Sequence, residues 1–291
     1  DLADRLYFEP ITFEDIMNII EFEKPDGVFV QFGGQTPLKI AEQLTNEGVK
    51  IFGTSSASID LAENREAFAS IIKKLKIQIP EYCIAKNYEE IINFSEIAQF
   101  PVLVRPSYVL GGRAMQIVYN KEQLVDYVFR SAEATNDHPI LIDQFIENAF
   151  EFDVDALSDG EEVFVAGIMQ HIEEAGVHSG DSSCVLPPYD MSSKVKKDII
   201  DMTTKLALEL NVVGLINLQF AVKDNEVYVL EVNPRSSRTV PFVSKYSNVP
   251  LANIAAQLSV GRKISDFNLI ENRFKHTCLL YTSDAADETC R

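Results

Sequence analysis

A loop bracketed by two arginines is the first candidate for chemistry. Residues 105–113 read RPSYVLGGR, so that Arg105 and Arg113 flank the adjacent pair Gly111 and Gly112. Glycine lets backbone N–H groups approach an anion closely, and the guanidinium fork matches phosphate oxygens. The spacing of a Walker loop is absent. Taken alone, the motif is equally typical of phosphate binding and of a tight hairpin turn.

A polar face shared by two neighbouring predicted strands is the second candidate. Asn217 and Gln219 alternate with apolar residues in the first strand, and Glu231 and Asn233 share the polar face of the second. Carboxylate and amide oxygens are the ligands that Mg²⁺ prefers, often completed by phosphate oxygens. The solvent-exposed side of an antiparallel sheet shows the same alternation, so the alternation alone does not decide between them.

Two arginines favour a metal–nucleotide site at this place. The polar residues of the second strand continue directly into Pro234, Arg235 and Arg238. A carboxylate beside two arginines suits a magnesium nucleotide with an anionic acceptor, because the cations offset the charge of the transferring group.

The register of this hairpin decides whether the polar residues meet. Asp224-Asn225 is a signal for a two-residue turn. A regular ladder from that turn would place Gln219 opposite Leu230, with the polar sets on opposite faces. Only a three-residue loop, or a β-bulge of equal effect, places Gln219 opposite Glu231. We therefore predict the three-residue loop Asp224-Asn225-Glu226, or a β-bulge of equal effect, despite the two-residue signal.

Two further polar segments leave their roles open. Residues 176–181 read GVHSGD and offer backbone N–H groups, an imidazole and hydroxyls, but a structural loop histidine is, by itself, the better explanation of His178. Neither a cysteine nor a third histidine joins His171 and His178 in zinc spacing. Glu147 and Glu151 flank a predicted bend, where they serve a ribose hydroxyl or are surface charge. Neither a G-x-S-x-G motif nor a Cys–His pair supports a hydrolase.

The predicted secondary structure that positions these residues differs between the N-terminus and the centre of the sequence. Helices and short apolar strands alternate at the N-terminus, which indicates a parallel sheet with helical cover. The centre is richer in strands and contains two predicted hairpins, which indicates mixed α+β structure. The apolar pattern decays after Gly261.

Composition limits the class of partner. The protein has 291 residues, of which 44 are acidic and 26 basic, and its net charge of −18 argues against general nucleic-acid binding. It has neither a run of about 18 apolar residues nor a signal peptide at its start, so we expect no membrane partner. The four cysteines fit no disulfide framework, and we predict a cytoplasmic protein.

Several sequence blocks, taken in order, resemble one known family. RPSYVLGGRAM, GIMQHIEEAGVHSGDSSC, GLINLQFAV and EVNPRSSRTVPFVSK are similar to the large chain of carbamoyl-phosphate synthetase, specifically to the ATP-grasp module of its second half. The opening DRLYFEP through FGGQTPLKIAEQL resembles the small α/β domain that precedes that module.

The resemblance implies a fold that is α/β and α+β. Residues 1–55 would form a partial pre-ATP-grasp α/β domain, and residues 56–267 an ATP-grasp domain of two α+β subdomains. The nucleotide cleft is expected between about 56–137 and 138–267. We expect the resemblance to end near Phe267, and the tail 268–291 to be unstructured or foreign.

The activity implied by the resemblance is phosphorylation of carbamate by ATP to give carbamoyl phosphate, a supply reaction for arginine and pyrimidine synthesis. The implied cofactors are ATP, two Mg²⁺ or Mn²⁺ ions and a further K⁺ ion. The implied partners are the remainder of the large chain and a glutaminase subunit or domain. Another ATP-grasp carboxylate–amine ligase and an inert nucleotide-binding module are the alternatives.

The resemblance also implies roles for individual residues. Arg238, with Arg235 nearby, would stabilise the transferring phosphoryl group. The metal ligands would be Gln219, Glu231 and Asn233. The residues expected to contact ATP are Arg105, Gln144, Ile146, Glu151, Gly176, Val177, His178, Ser179, Gln219 and Glu231.

Overall fold

Three sheets organise the protein in the computed structural model, which describes residues 3–85, 87–106, 116–132, 140–173, 175, 177, 182–270 and 276–281. They are a two-stranded parallel sheet, a four-stranded antiparallel sheet and a six-stranded antiparallel sheet. The last two are called the small sheet and the large sheet below. None of the helices in the described ranges has the length and apolar character needed to cross a bilayer.

The N-terminal unit has the predicted helix–strand alternation. Its elements are α1 (Phe13–Glu23), β1 (Val28–Phe29), α2 (Gln35–Leu38), α3 (Ala41–Asn46) and β2 (Ile51–Phe52). Thr12 caps α1 by accepting a hydrogen bond from the Asp15 backbone N–H, and the helix ends at Lys24 in the left-handed conformation. β1 and β2 pair in parallel, as the pattern indicated.

The small sheet is covered by two helices. Its strands are β3 (Tyr82–Ala85), β4 (Val102–Pro106), β5 (Gln116–Val118) and β6 (Ile140–Gln144), and the helices are α6 (Tyr88–Ile97) and α7 (Lys121–Ala132). The strand order is β3-β6-β4-β5. Apolar residues of β4 and β6, such as Val102, Val104 and Ile142, are fully buried between the sheet and the helices.

The large sheet has helices on both faces. Its strands are β7 (Phe150–Asp159), β8 (Val163–His171), β9 (Cys184–Leu186), β10 (Val213–Lys223), β11 (Glu226–Asn233) and β12 (Cys278–Leu280), in the order β11-β10-β7-β8-β9-β12. The helix α8 (Ser193–Glu209) packs on the face formed by Leu218 and Phe220. The helices α9 (Val240–Ser247) and α10 (Leu251–Ser259) pack on the other face, around Leu215.

The cores of the sheets show which segments pack together within residues 56–144. β6 belongs to the small sheet, because its buried Ile140 and Ile142 complete the core of that sheet. Before the small sheet, Ile72 of α5 (Arg65–Leu75) lies in the core beneath the large sheet, whereas Ile59 of α4 (Ser56–Glu63) packs in the core of the N-terminal unit. The small sheet thus spans residues 82–144, and the division of residues 56–267 by a nucleotide cleft stays a prediction.

Part of the tail is structured, which corrects the expectation for residues 268–291. Cys278–Leu280 pairs antiparallel with β9 and becomes the edge strand of the large sheet. Leu280 is buried in the same core as Leu258 of α10. Three apolar residues cover a sheet edge here, a local feature too short for the periodicity of the sequence to reveal. Residues 282–291 lie outside the described part of the protein.

Candidate nucleotide and metal site

The turn between β10 and β11 has two residues. Asp224 and Asn225 have φ angles of 53° and 64°, and Lys223 lies opposite Glu226. Positive φ at both central residues is the conformation that follows the right-handed twist of a hairpin, and Asp and Asn tolerate it well. The predicted three-residue loop, which would have placed Gln219 opposite Glu231, is therefore absent.

A β-bulge supplies the register instead. Phe220 pairs with Val229, but the next residue back, Gln219, pairs with Glu231, so Leu230 has no partner on β10. Beyond the bulge, Asn217 lies opposite Asn233. The predicted pairing of the polar residues is thus confirmed, through the bulge rather than the loop.

The third strand of the sheet extends this polar face. On β7, Asp153 lies opposite Gln219 and Asp155 lies opposite Asn217. The polar face of the large sheet is defined here as the six residues Asp153, Asp155, Asn217, Gln219, Glu231 and Asn233. Neither aspartate was among the predicted site residues, although the alternation in EFDVDAL indicates them.

Asp155 is fully buried, and three side chains donate hydrogen bonds to it. Asn217 Nδ2 and Ser237 Oγ donate to Oδ1 over 3.0 and 2.7 Å, and Thr239 Oγ1 donates to Oδ2 over 2.6 Å. Burial raises the pKa of Asp155 to about 6, although the hydrogen bonds from Thr239, Ser237 and Asn217 oppose the rise.

Residues 234–239, the arginine loop, follow β11 and run beside the polar face. Arg235 Nη2 donates to Asn233 Oδ1 over 3.1 Å, and Arg235 Nε donates to Gln35 Oε1 over 3.2 Å. Arg238 Nη2 donates to the Ser182 carbonyl over 3.2 Å. Within the described residues, the buried Arg238 Nη1 has no hydrogen-bond partner, so this donor is available to an anion. The structure thus brings Arg235 to Asn233, a predicted metal ligand, and places Arg238 against Ser182.

A buried histidine stands between two carboxylates at the other end of the polar face. His171 Nε2 lies 3.0 Å from Asp153 Oδ2, and His171 Nδ1 lies 3.4 Å from Glu151 Oε2. Burial opposes the charge of the imidazole, but hydrogen bonds to Asp153, Cys184 and Glu151 outweigh it and raise the pKa of His171 to about 11. His171 is therefore charged at neutral pH, and its Nδ1 lies at ion-pair distance from Glu151, a predicted nucleotide contact.

The connection between the two sheets lines a cavity of about 470 Å³. Gln144 and Ile146, both predicted to contact the nucleotide, lie on one side of it. Lys223 and Tyr228 from the tip of the β10–β11 hairpin lie on the other. The cavity thus joins the small sheet to the strands that carry the polar face.

Several predicted contacts fall outside what the structure describes. The backbone of Arg105 lies in β4 opposite Leu141, but its side chain is outside the described part. Gly176, His178 and Ser179 are also outside it, whereas Val177 is described and exposed. Their roles stay predictions.

The donor set of the polar face fits a hard divalent cation. Gln219, Glu231 and Asn233 offer one carboxylate and two amide oxygens on adjacent strands, and Glu231 is exposed. Directly opposed residues have Cβ atoms about 4.5–5.5 Å apart, close enough to share an ion. Arg235, which donates to Asn233, provides positive charge beside these residues for a phosphate.

Comparison with protein families gives two matches that together span most of the sequence. The family described as carbamoyl-phosphate synthase L chain, ATP binding domain, matches residues 64–267. The carbamoyl phosphate synthase preATP-grasp domain matches residues 1–61.

Curated relatives agree with these matches. The carbamoyl phosphate synthase large chain of Archaeoglobus fulgidus is 59% identical over 280 residues, covering 96% of this protein and 26% of the relative. The C-terminal section of the Aquifex aeolicus large chain is 54% identical over 266 residues, covering 91% and 50%. The protein thus spans about a quarter of the full-length relative. A match over 280 residues also extends past Phe267, which corrects the expected end of the resemblance.

Solved structures share the fold at low sequence identity. The biotin carboxylase domain of Hydrogenobacter thermophilus 2-oxoglutarate carboxylase, solved with MgADP, ADP and bicarbonate, has a TM-score of 0.78 and 17% identity over 95% of this protein and 64% of that one. Campylobacter jejuni biotin carboxylase has a TM-score of 0.75 and 16% identity, covering 87% and 58%. The predicted fold class, an ATP-grasp domain preceded by a pre-ATP-grasp domain, is confirmed. With its two family matches, the protein belongs to the carbamoyl-phosphate synthase large-chain family.

Proposed function

We propose that this protein is the module that phosphorylates carbamate with ATP, as the second half of a carbamoyl-phosphate synthase large chain. The observation that carries the proposal is the similarity to relatives described as C-terminal sections of that large chain. Those of Aquifex aeolicus and Methanocaldococcus jannaschii are 54% and 52% identical and match 91% of this protein. The charged side chains of the polar face and the arginine loop support it.

ATP would lie in the cleft between the small sheet and the polar face. Its adenine and ribose would be held by Gln144, Ile146 and Glu151, near the cavity that the first two line. Val177 and the neighbouring residues Gly176, His178 and Ser179 would complete this pocket. Arg105 would contact the nucleotide phosphates, since the last residues of β4 lead into the glycine-bearing loop.

Gln219, Glu231 and Asn233 would hold the metal ions. Two Mg²⁺ or Mn²⁺ ions, when bound, offset the charge that builds up on the β- and γ-phosphates. We assign a further K⁺ ion to the same module on the resemblance alone. Arg235 keeps Asn233 oriented through the hydrogen bond to its Oδ1.

The arginine loop would act on the transferring group itself. A carbamate oxygen forms a bond to the γ-phosphorus while the bond from that phosphorus to the β–γ bridging oxygen breaks, which releases ADP and carbamoyl phosphate. Arg238, whose Nη1 has no partner in the described residues, would donate to the phosphoryl oxygens. Catalysis then consists of positioning and charge stabilisation, so no covalent nucleophile is needed.

The proposal extends to partners. The remainder of the large chain would supply carbamate, and a glutaminase subunit or domain would supply ammonia, for arginine and pyrimidine synthesis in the cytoplasm. The net charge of −18 fits a small anionic substrate bound by local cations rather than a nucleic acid.

The test is the reverse of the proposed reaction, in which ATP is formed. The purified protein is incubated with ADP, carbamoyl phosphate and Mg²⁺, and ATP is measured by luciferase. We expect ATP formation that requires all three components. Bicarbonate-dependent ATP hydrolysis without this reverse reaction would favour another carboxylate ligase. Nucleotide binding without either turnover would favour an inert module.

A further inference from the structure

We propose that Asp155 is a positioning residue that anchors the arginine loop and thereby sets where Arg238 points. The anchoring follows from the contacts of Asp155 alone. Its consequence for turnover rests on the proposed function, in which Arg238 acts on the transferring phosphoryl group.

The contacts of Asp155 converge on Arg238 from both sides along the sequence. Ser237 and Thr239, the residues directly before and after Arg238, both donate their hydroxyl groups to the Asp155 carboxylate, over 2.7 and 2.6 Å. The Thr239 backbone N–H also donates to Ser237 Oγ over 3.2 Å. The backbone at Arg238 is therefore tied to β7 at two points, one on each side.

The beginning of the arginine loop is held from another direction. Gln31 of the N-terminal unit donates from Nε2 to the Pro234 carbonyl over 2.8 Å, and its own backbone carbonyl accepts from the Ser236 N–H over 2.9 Å. Gln31 thus holds the first half of the loop, and Asp155 holds the second. The Arg238 side chain extends from the loop that these contacts hold, and its Nη2 donates to the Ser182 carbonyl.

The free-energy cost of burying the Asp155 carboxylate indicates a role for this side chain beyond packing. Asp155 is fully buried, and the three side chains that donate to it, from Asn217, Ser237 and Thr239, carry no charge. Removing a carboxylate from water is expensive, and an apolar side chain of similar size would fill the same space at lower cost. What the carboxylate adds is two oxygens that accept from both neighbours of Arg238 at once.

The experiment removes the two hydroxyl groups of the arginine loop that donate to Asp155, and it leaves Asp155 and β7 unchanged. The double variant Ser237→Ala/Thr239→Val is compared with Thr203→Val, which changes a buried threonine of α8 whose hydroxyl has no partner in the described residues. Hydrogen exchange of the amides in residues 235–239 is measured by mass spectrometry. We expect exchange about thirtyfold faster in the double variant and unchanged exchange in the control, because the two hydrogen bonds to Asp155, of about 1 kcal/mol each, are lost.

Turnover tests the consequence for Arg238. In the reverse reaction, the double variant is expected to lower kcat at least tenfold and to change the KM for ADP less than twofold. In an Arg238→Ala background the same two substitutions should lower kcat less than twofold further, because they act through Arg238.

Three results would overturn the inference: unchanged exchange, unchanged kcat in an active protein, or a full additional loss in the Arg238→Ala background. If the unaltered protein forms no ATP, the proposed function fails, and the exchange measurement still decides the anchoring. If the double variant does not melt cooperatively, the single variant Ser237→Ala takes its place in both measurements.

Discussion

Gln219 on β10 lies directly opposite Glu231 on β11, although the turn that joins the two strands has an even, two-residue loop. The unpaired Leu230 makes up the difference, because a bulge of one residue changes which side chains share a face. The metal-binding face that we propose therefore depends on an irregularity in the ladder, next to the residues that would bind the ion.

Glu231→Gln should abolish Mg²⁺-dependent turnover without unfolding the protein. Glu231 is exposed on the polar face, so the neutral amide costs little stability, but it removes the carboxylate of the proposed metal set. We expect kcat of the reverse reaction to fall by about 10²–10³-fold or more. Glu161→Gln, at an exposed glutamate in the β7–β8 turn, should keep normal turnover. Near-normal kcat in Glu231→Gln would mean that the metal ions are held elsewhere.

Arg105→Ala should weaken binding of the nucleotide more than it weakens the fold. Arg105 is the penultimate residue of β4, directly before the glycine-bearing loop. We expect a higher Kd for MgATP, measured by calorimetry, and only partial rescue in Arg105→Lys, because lysine lacks the bidentate fork. A folded Arg105→Ala protein with unchanged affinity would contradict the assignment.

Asp224 should accept glycine and reject a β-branched residue. Its φ of 53° lies in the left-handed region, where glycine is at no disadvantage and valine is strained by about 1–2 kcal/mol. Urea denaturation should show a lower free energy of unfolding for Asp224→Val by about that amount. Asp224→Gly should stay within about 0.5 kcal/mol of the unaltered protein. Equal stability of the two variants would argue against the two-residue turn.

Two adjacent leucines test the structured part of the tail. Leu280 is buried against the core near α10, whereas Leu279 is 47% exposed on the same strand. Leu280→Ala should cost about 2 kcal/mol or more, since it leaves a cavity, and lower Tm by several degrees. Leu279→Ala should change Tm by less than about 2 °C. An equally small effect at both positions would mean that β12 does not contribute to the large sheet.

The buried His171 should make stability fall at alkaline pH. Its pKa rises from 6.5 in the unfolded protein to about 11 in the fold, so its contribution is complete below pH 6.5 and is lost as pH rises through about 11. Between about pH 7 and 10 the unaltered protein should lose up to about 1.4 kcal/mol per pH unit relative to His171→Gln. The matched control is His276→Gln, at an exposed histidine. Identical pH slopes for the unaltered protein and His171→Gln would rule out a charged His171.

The alternation of polar and apolar residues indicates which side chains form the candidate site and which pairing they require. Gln219, Glu231 and Asn233 stand out by their alternation with apolar residues, and the period of two demands a shift of one residue somewhere in the hairpin. Local signals also specified the turn at Asp224-Asn225 and the helix cap at Thr12. These features depend only on near neighbours along the backbone, so a single sequence contains them.

How this pairing of strands is achieved, and which residues pack around the polar face, depends on contacts between distant segments of the fold. The extra residue enters a bulge at Leu230 and not the turn, while β10 pairs without a shift with β7, whose residues lie about 60 positions earlier in the sequence. The burial of Asp155 beneath Ser237 and Thr239 is likewise a contact across about 80 residues. Such contacts arise from the packing of distant segments. The periodicity of side chains predicts which face of a strand or helix is buried, but it does not predict which residues lie against that face.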